Sequence, residues 1–211
     1  SSIGGLTAIR KGEADVAGIN LLDEETGEYN IPFLQKYGLE EKVLLVRGYK
    51  RRQGFFVLKD NPRNIQNLKD LLREDVKMAN RNYGSDARTI FDVHLNKLAE
   101  KLGLNFKNLT SKIRGYDVEV WSYRSLASAV LEGKADVGFG VQTFADMYGL
   151  EFIPLDEGFY DYAVRIDRIN NPQTKTFLEV LRSQEFRRRL ENVKGLFVTN
   201  ETGMITHKPK P

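Results

Sequence analysis

The sequence predicts an α/β protein built as two lobes, and three observations predict it. Short apolar runs of strand length alternate with helical apolar spacings along the whole chain. The stretch Asn80-Arg81-Asn82-Tyr83-Gly84-Ser85-Asp86-Ala87-Arg88 joins one such run to a Gly-Ser turn and a long helical pattern. Gly12-Glu13-Ala14-Asp15-Val16 returns as Gly133-Lys134-Ala135-Asp136-Val137, matching at four of five positions at an offset of 121 residues. That offset sets Ser1 against Ser122 and Ala8 against Ala129. Each copy therefore reads as serine-bearing loop, short helix and Gly-x-Ala-Asp-Val strand. Each lobe is expected to hold a mainly parallel sheet flanked by helices.

The first helix runs to about Lys11, stops at Gly12, and is followed by a strand over 16–19. The polar loop 23–30 reads as a solvated turn and leads to a short helix opened by Pro32. Val43, Leu44, Leu45 and Val46 form an unbroken apolar run, expected as a strand covered on both faces. The basic stretch Tyr49 to Gln53 separates it from the next strand, 54–58; Asn61-Pro62 is a turn and 67–72 a short helix. Val76 to Ala79 is a strand, and Phe91, Leu95, Leu98 and Leu102 mark a helix that ends at Gly103. After a loop come a strand at 117–121, a helix to about Glu132, the repeated strand and a helix over 142–148. Two strands follow, 151–155 and 160–166. Pro172 opens a long helix with Leu178, Leu181, Phe186, Leu190 and Val193 on one face, and Arg182, Arg187, Arg188 and Arg189 on a solvated one. Leu196 to Thr199 is a last short strand, and 206–211 is a disordered tail. The repeat places one lobe at 54–153, inserted between 1–48 and 159–205 of the other, with hinge crossings at 49–53 and 154–158.

Composition narrows the chemistry. The 211 residues are 41% hydrophobic and 29% charged with a formal charge of +3, an ordinary globular balance and no nucleic-acid signature. With no cysteine there are no disulfides or thiolate metal sites, and two histidines, His94 and His207, make no His-rich metal centre. His94, on the flank of a core stripe, is expected as a structural histidine. No apolar run approaches the ~18 residues of a membrane span. No Gly-x-Ser-x-Gly elbow, Walker loop or His-Glu-x-x-His is present, so no catalytic residues, metal or cofactor are assigned and a binding role is expected.

The chemistry that remains sits at Asn80–Arg88. Gly84 permits φ > 0, Ser85 is a good N-cap, and free amide N–H groups at a helix start favour negative charge. Arg88, one turn in, adds a forked cationic donor. This is a seat for an oxyanion or carboxylate, or an ordinary capped helix.

The order of Gly4-Gly5-Leu6, Gly12-Glu13-Ala14-Asp15-Val16-Ala17-Gly18, Leu21-Leu22-Asp23 and Thr26-Gly27-Glu28-Tyr29-Asn30 resembles a family of cytoplasmic periplasmic-binding-protein-like domains. Gln53-Gly54, Asn61-Pro62, Asn80-Arg81, Gly84-Ser85, Arg88 and Gly133 to Gly138 extend the resemblance over nearly the whole chain. Members of that family are often fused to molybdopterin-biosynthesis proteins or to helix-turn-helix regulators of the molybdate type. The resemblance implies a type II binding-protein fold, lacking here the first strand and helix, whose lobes close by a hinge on a small anion such as molybdate or tungstate. It implies a cytoplasmic sensor or delivery module with a fused or associated partner domain. A solute-binding subunit of an ABC importer, which needs an export signal, and a non-binding interaction module are the alternatives. The expected ligand groups are Ser1 and Ser2 from one lobe, and Gly84, Ser85, Arg88, Ser122 and Tyr123 from the other. Arg81 either joins them or pairs with an acid such as Asp136. Asp86 and Ala87 stand where the family often has Gly and Thr. Tyr29 and Asn30 line the mouth or lie in the solvated turn, Asp15 and Asp136 brace strand ends, and Trp121 is core or cleft wall.

Overall fold

The computed structural model describes residues 1–209. The chain divides into two compact units: Ser1–Arg51 with the chain from Glu157 (unit 1), and Arg52–Asp156 (unit 2).

Unit 1 opens with helix α1 (Ser2–Lys11), closed by Gly12 in the left-handed conformation at φ 77°. Strand β1 (Val16–Ile19) follows, with α1 laid over it; a Cβ on Gly5 would come within 2.9 Å of the Ala17 Cβ. Helix α2 is Ile31–Lys36. Leu6, Ile9, Ile19, Leu21, Leu34, Leu39, Val43 and Leu45 form one buried core. Strand β2 is a single 15-residue element, Val43–Val57, where two strands and a basic spacer were expected. The spacer stays extended because its buried cations have acceptors. Arg51 donates from Nε and Nη2 to Asn20 Oδ1 at 3.1 and 2.6 Å, and neighbouring Arg47 donates to Asp161 at 3.2 Å.

The expected strands 151–155 and 160–166 are likewise one element. In unit 1 the later part of this strand pairs antiparallel with β1, Val16 opposite Val164 and Ile19 opposite Asp161. The long C-terminal helix is two, broken at Ser183, whose extended backbone and Oγ, accepting from Phe186 N at 3.1 Å, start a new helix. Arg182 and Arg187 are not on a solvated face: they donate to the carbonyls of Gly203, Thr199 and Thr202. Arg188 and Arg189 do pair at the surface, with Glu185. Ile205–His207 is a strand on β2, with His207 opposite Leu45, so Thr206 and His207 are not tail. Lys210 and Pro211, also placed in the tail, lie outside the described residues.

In unit 2, β3 (Met78–Arg81) leads to α3 (Asp86–Lys101) and a short helix, α4 (Phe106–Thr110), where a loop was expected. Then come β4 (Glu119–Val120), α5 (Tyr123–Leu131), β5 (Val137–Val141) and α6 (Gln142–Met147), followed by the long strand β6 (Glu151–Arg165). Strand β3 pairs in parallel with β4 and β5, while the end of β2 pairs antiparallel with β5. The sheet is thus mixed rather than mainly parallel. Parallel pairing is confined to strands joined by helical crossovers, and every antiparallel ladder involves β2 or β6. One face packs Phe55 and Phe139 against Phe91 of α3, with Phe91 and Phe139 stacked at 5.1 Å. The other buries Phe56, Ala79, Leu126, Ala127, Val130 and Ala145 under α5 and α6. Because β3, β4 and β5 point the same way, α3 and α5 both begin at one edge of this sheet.

Candidate functional site

That edge gathers most of the sequence-predicted groups. Gly84 has φ 77°, which lets the chain turn from β3 into α3, and Ser85 caps α3 with its Oγ accepting from Arg88 N at 3.3 Å. Asp86 occupies the first turn. On the neighbouring strand end, Ser122 caps α5 by accepting from Ser125 N at 3.0 Å and shares a hydrogen bond with Ser125 Oγ. Tyr123 stacks on Phe144 at 4.3 Å. The Arg81 guanidinium carbon lies 4.4 Å from the centre of the Tyr123 ring, and Arg81 Nη2 donates to Trp121 O at 3.4 Å. Among the described residues no carboxylate is recorded in an ion pair with Arg81, and its buried Nε has no hydrogen-bond partner. The alternative pairing with Asp136 is not made. Asp136 accepts instead from Arg63 Nε at 2.9 Å and Lys77 N at 2.8 Å.

Arg88 is built differently. Its side chain is buried, Nε donates to both Asp92 oxygens at 3.0 and 2.9 Å, and Nη1 donates to Arg81 O and Glu119 Oε1 at 3.3 Å. Tyr116 lies under the guanidinium at 4.3 Å and donates its hydroxyl to Asp92 at 2.8 Å. Burial lifts the Asp92 carboxyl above its ordinary range against the pull of Arg88. Burial, then the Asp92 charge, pushes the Tyr116 phenol up to about 12. Glu119 also accepts from Tyr83 N at 3.0 Å, which ties the turn to β4. Arg88 therefore holds the turn and helix start together.

Gln53 is not among the expected ligand groups. It is fully buried on β2 opposite Val141, and neither its amide nitrogen nor its oxygen has a hydrogen-bond partner. The signal available was an uncharged carboxamide at the end of the basic stretch, directly before the apolar run Gly54 to Leu58. Gln142, the next residue after Val141, also has a buried Oε1 without a partner.

Unit 1 holds the remaining expected groups. Ser1 caps α1, its Oγ accepting from Gly4 N at 3.2 Å. Ser2 is buried and accepts from Asn20 N at 2.9 Å; Asn20 in turn donates to Phe159 O at 2.7 Å. Asn30 is no solvated turn residue: fully buried, it accepts from Leu21 N and donates to Asp161 at 2.8 Å. Burial raises the Asp161 carboxyl even with Arg47 beside it. The half-buried Tyr29 ring meets Phe159 edge-on at 6.5 Å. In unit 2, His94 is half-buried with Nε2 3.2 Å from Asp156 Oδ2, and Trp121 is 77% exposed rather than core. Among the described residues no three His, Asp or Glu side chains cluster as a metal centre requires, and no helix is long and apolar enough to cross a membrane.

Parallel strand ends feeding helix starts are where α/β sheets bind ligands, and the sequence itself matches one family. Residues 1–182 match the PBP superfamily domain. The chain belongs to that family. It is 35% identical over 204 residues to YvgK, an uncharacterised protein of Bacillus subtilis (strain 168), covering 97% of this chain and spanning only 63% of that relative's length. Its fold is similar to that of SubI, the sulfate-binding protein of Mycobacterium tuberculosis H37Rv (TM-score 0.67, 16% identity, 96% of this chain and 76% of that one). It is similar also to the substrate-binding domain of a proposed molybdenum ABC transporter from Clostridium difficile (TM-score 0.55, 19% identity, 95% and 84%).

Proposed function

We propose that this chain is a binding domain for a small oxyanion, taken at the edge of unit 2 where α3 and α5 begin. The observation that carries this reading is Arg81: a cation held over Tyr123 and a backbone carbonyl, recorded in no ion pair with an acid. Two helix starts and the parallel strand ends beside it favour an anion. Family membership and the sulfate- and molybdenum-related fold neighbours support the same class of ligand. In this reading Arg81 supplies the charge, the α3 and α5 starts and the Gly84 backbone supply neutral donors, and Arg88 positions the turn. Ser85, Ser122 and Tyr123 line the site, and Ser1 and Ser2 belong to the α1 start of unit 1. Molybdate or tungstate as the ligand, and a cytoplasmic sensing or delivery role tied to molybdenum-cofactor synthesis, are the finer form of the proposal and rest on the family resemblance. The domain binds rather than catalyses.

Isothermal titration with molybdate, tungstate, sulfate and phosphate tests it. At least one anion is expected to bind, and Arg81→Ala to weaken that binding at least tenfold, since a charge-assisted hydrogen bond is worth roughly 1.5–3 kcal/mol. No heat from any of the four, or equal affinity in the variant, defeats the proposal.

A further inference from the structure

We propose that Gln53 contacts the ligand of the unit 2 site, and that the anion bound there carries an O–H donor: a monoprotonated oxyanion or a hydroxylated carboxylate. This rests on the anion-binding reading and names a class of anion that replaces its molybdate or tungstate form, since neither carries an O–H at neutral pH.

Alternate side chains of a strand share a face, so Gln53 lies on the face of β2 that carries Phe55. Phe55 is opposite Phe139 of β5 and meets Phe91 of α3, at ring distances of 6.3 and 6.4 Å. Gln53, opposite Val141, is one row further along β5 in its chain direction. Strand β3 runs parallel to β5 and ends in the turn that starts the 16-residue α3. The row of Gln53 therefore faces the N-terminal turn of α3. The amide is 0% exposed with both its nitrogen and its oxygen unpartnered, so it offers donors and an acceptor whichever way it is turned. Buried polar groups are almost always satisfied, and one that is not calls for a partner the protein does not itself supply. Gln142 adds a second buried, unpartnered oxygen at the same strand end.

An anion made only of acceptors, such as sulfate or molybdate, satisfies the amide nitrogen and leaves the oxygen bare. An anion with a hydroxyl or a retained proton satisfies both. The acids nearby act in the same direction: Asp86 in the first turn of α3 and Glu119 beside the turn are acceptors to which an O–H on the anion can donate, whereas an anion made only of acceptors meets them solely as like charge.

The test uses matched pairs differing in one O–H: phosphate against sulfate, and glycolate against acetate, titrated into the full chain, Gln53→Leu, Gln53→Met and Arg81→Ala. The O–H member of at least one pair is expected to bind about tenfold or more tighter, because a site built for a hydroxyl rejects the analogue lacking it. Which pair discriminates separates oxyanion from hydroxy acid. Both Gln53 variants should erase the preference while being at least as stable as the parent without ligand, since an unsatisfied amide is replaced by apolar atoms. Equal binding within both pairs, affinity unchanged in the Gln53 variants, or lower ligand-free stability in both overturns the inference. Binding that is lost in Arg81→Ala yet indifferent to Gln53 overturns only this inference and keeps the anion reading. Silence with all four anions overturns this inference, and silence with molybdate and tungstate as well overturns both.

Discussion

The two copies of the repeated element solve the same packing contact in opposite ways. In unit 1, α1 meets β1 through Gly5 and Ala17; in unit 2 the equivalent positions are Leu126 on α5 and Gly138 on β5. A Cβ on Gly5 would come within 2.9 Å of Ala17 Cβ, and one on Gly138 within 2.6 Å of Leu126 Cδ1. Each contact has room for one larger side chain, carried by the strand in the first copy and the helix in the second. The surroundings then diverge. The start of α1 packs through Ser2 on Asn20, whereas the start of α5 stands beside Arg81, whose carbonyl accepts from Arg88 of the Arg88–Asp92–Tyr116 network. The repeat builds the scaffold, and what neighbours its helix start decides whether a candidate site forms.

The largest test of that difference is Arg88→Ala. Removing the buried partner of Asp92 and Glu119 is expected to destabilise unit 2 by about 3 kcal/mol or more, seen as a lower urea midpoint. An unchanged midpoint would make Arg88 dispensable to the fold and return it to the list of ligand donors.

Next comes the complementary contact. Gly138→Ala overpacks against Leu126 and should cost about 1–3 kcal/mol. Leu126→Ala leaves a cavity and should cost about 2–5 kcal/mol. The double variant is expected to be less costly than the sum, because the smaller side chain accommodates the new methyl. Simple additivity would show that the two positions do not share the contact.

The helix caps give a smaller effect. Ser122→Ala removes the acceptor for Ser125 N and should cost about 1 kcal/mol. Ser1→Ala, with its single longer bond to Gly4 N, should cost less. The reverse order, measured by thermal unfolding, would mean that the α1 start bears more of the load than its geometry indicates.

The smallest effect near neutral pH concerns Tyr116. Its phenol, raised from 10.0 to about 12 in the fold, should ionise above the ordinary tyrosine range in an ultraviolet pH titration, as a late step that Tyr116→Phe removes. The folded state holds that proton more tightly than the unfolded chain, so the stabilising contribution is complete below pH 10 and is lost as pH rises toward 12. Tyr116→Phe should therefore remove part of the alkaline loss of stability. An identical alkaline profile would place the sensitivity at another residue, with Tyr162, also raised by burial, the next to replace.

Much of the local structure was readable. Ser85 and Ser122 are caps and Gly12 and Gly133 are left-handed stops because capping depends on residues three or four positions apart. The Arg88–Asp92 pair also has that spacing and was legible in principle. Taken alone, Arg88 read as a ligand donor because its other partners, Glu119 and Tyr116, arrive from 31 and 28 positions away, only the former at hydrogen-bond distance.

The long strands were cut in two for a related reason. Charge inside an apolar run signals a break unless a partner is known, and the partners of Arg47 and Arg51 lie 114 and 31 residues off. By itself, then, the sequence determined the α/β class, the repeat, the caps and turns, and the edge at which helices begin, all set by neighbours along the chain. Tertiary structure alone decided which polar groups are matched: Arg88 held internally, Arg81 left without an acid, Asn30 locked to Asp161, Gln53 buried with nothing to bond. Burial removes water as the default partner, so the fate of each such group depends on what the fold brings to it from far along the chain.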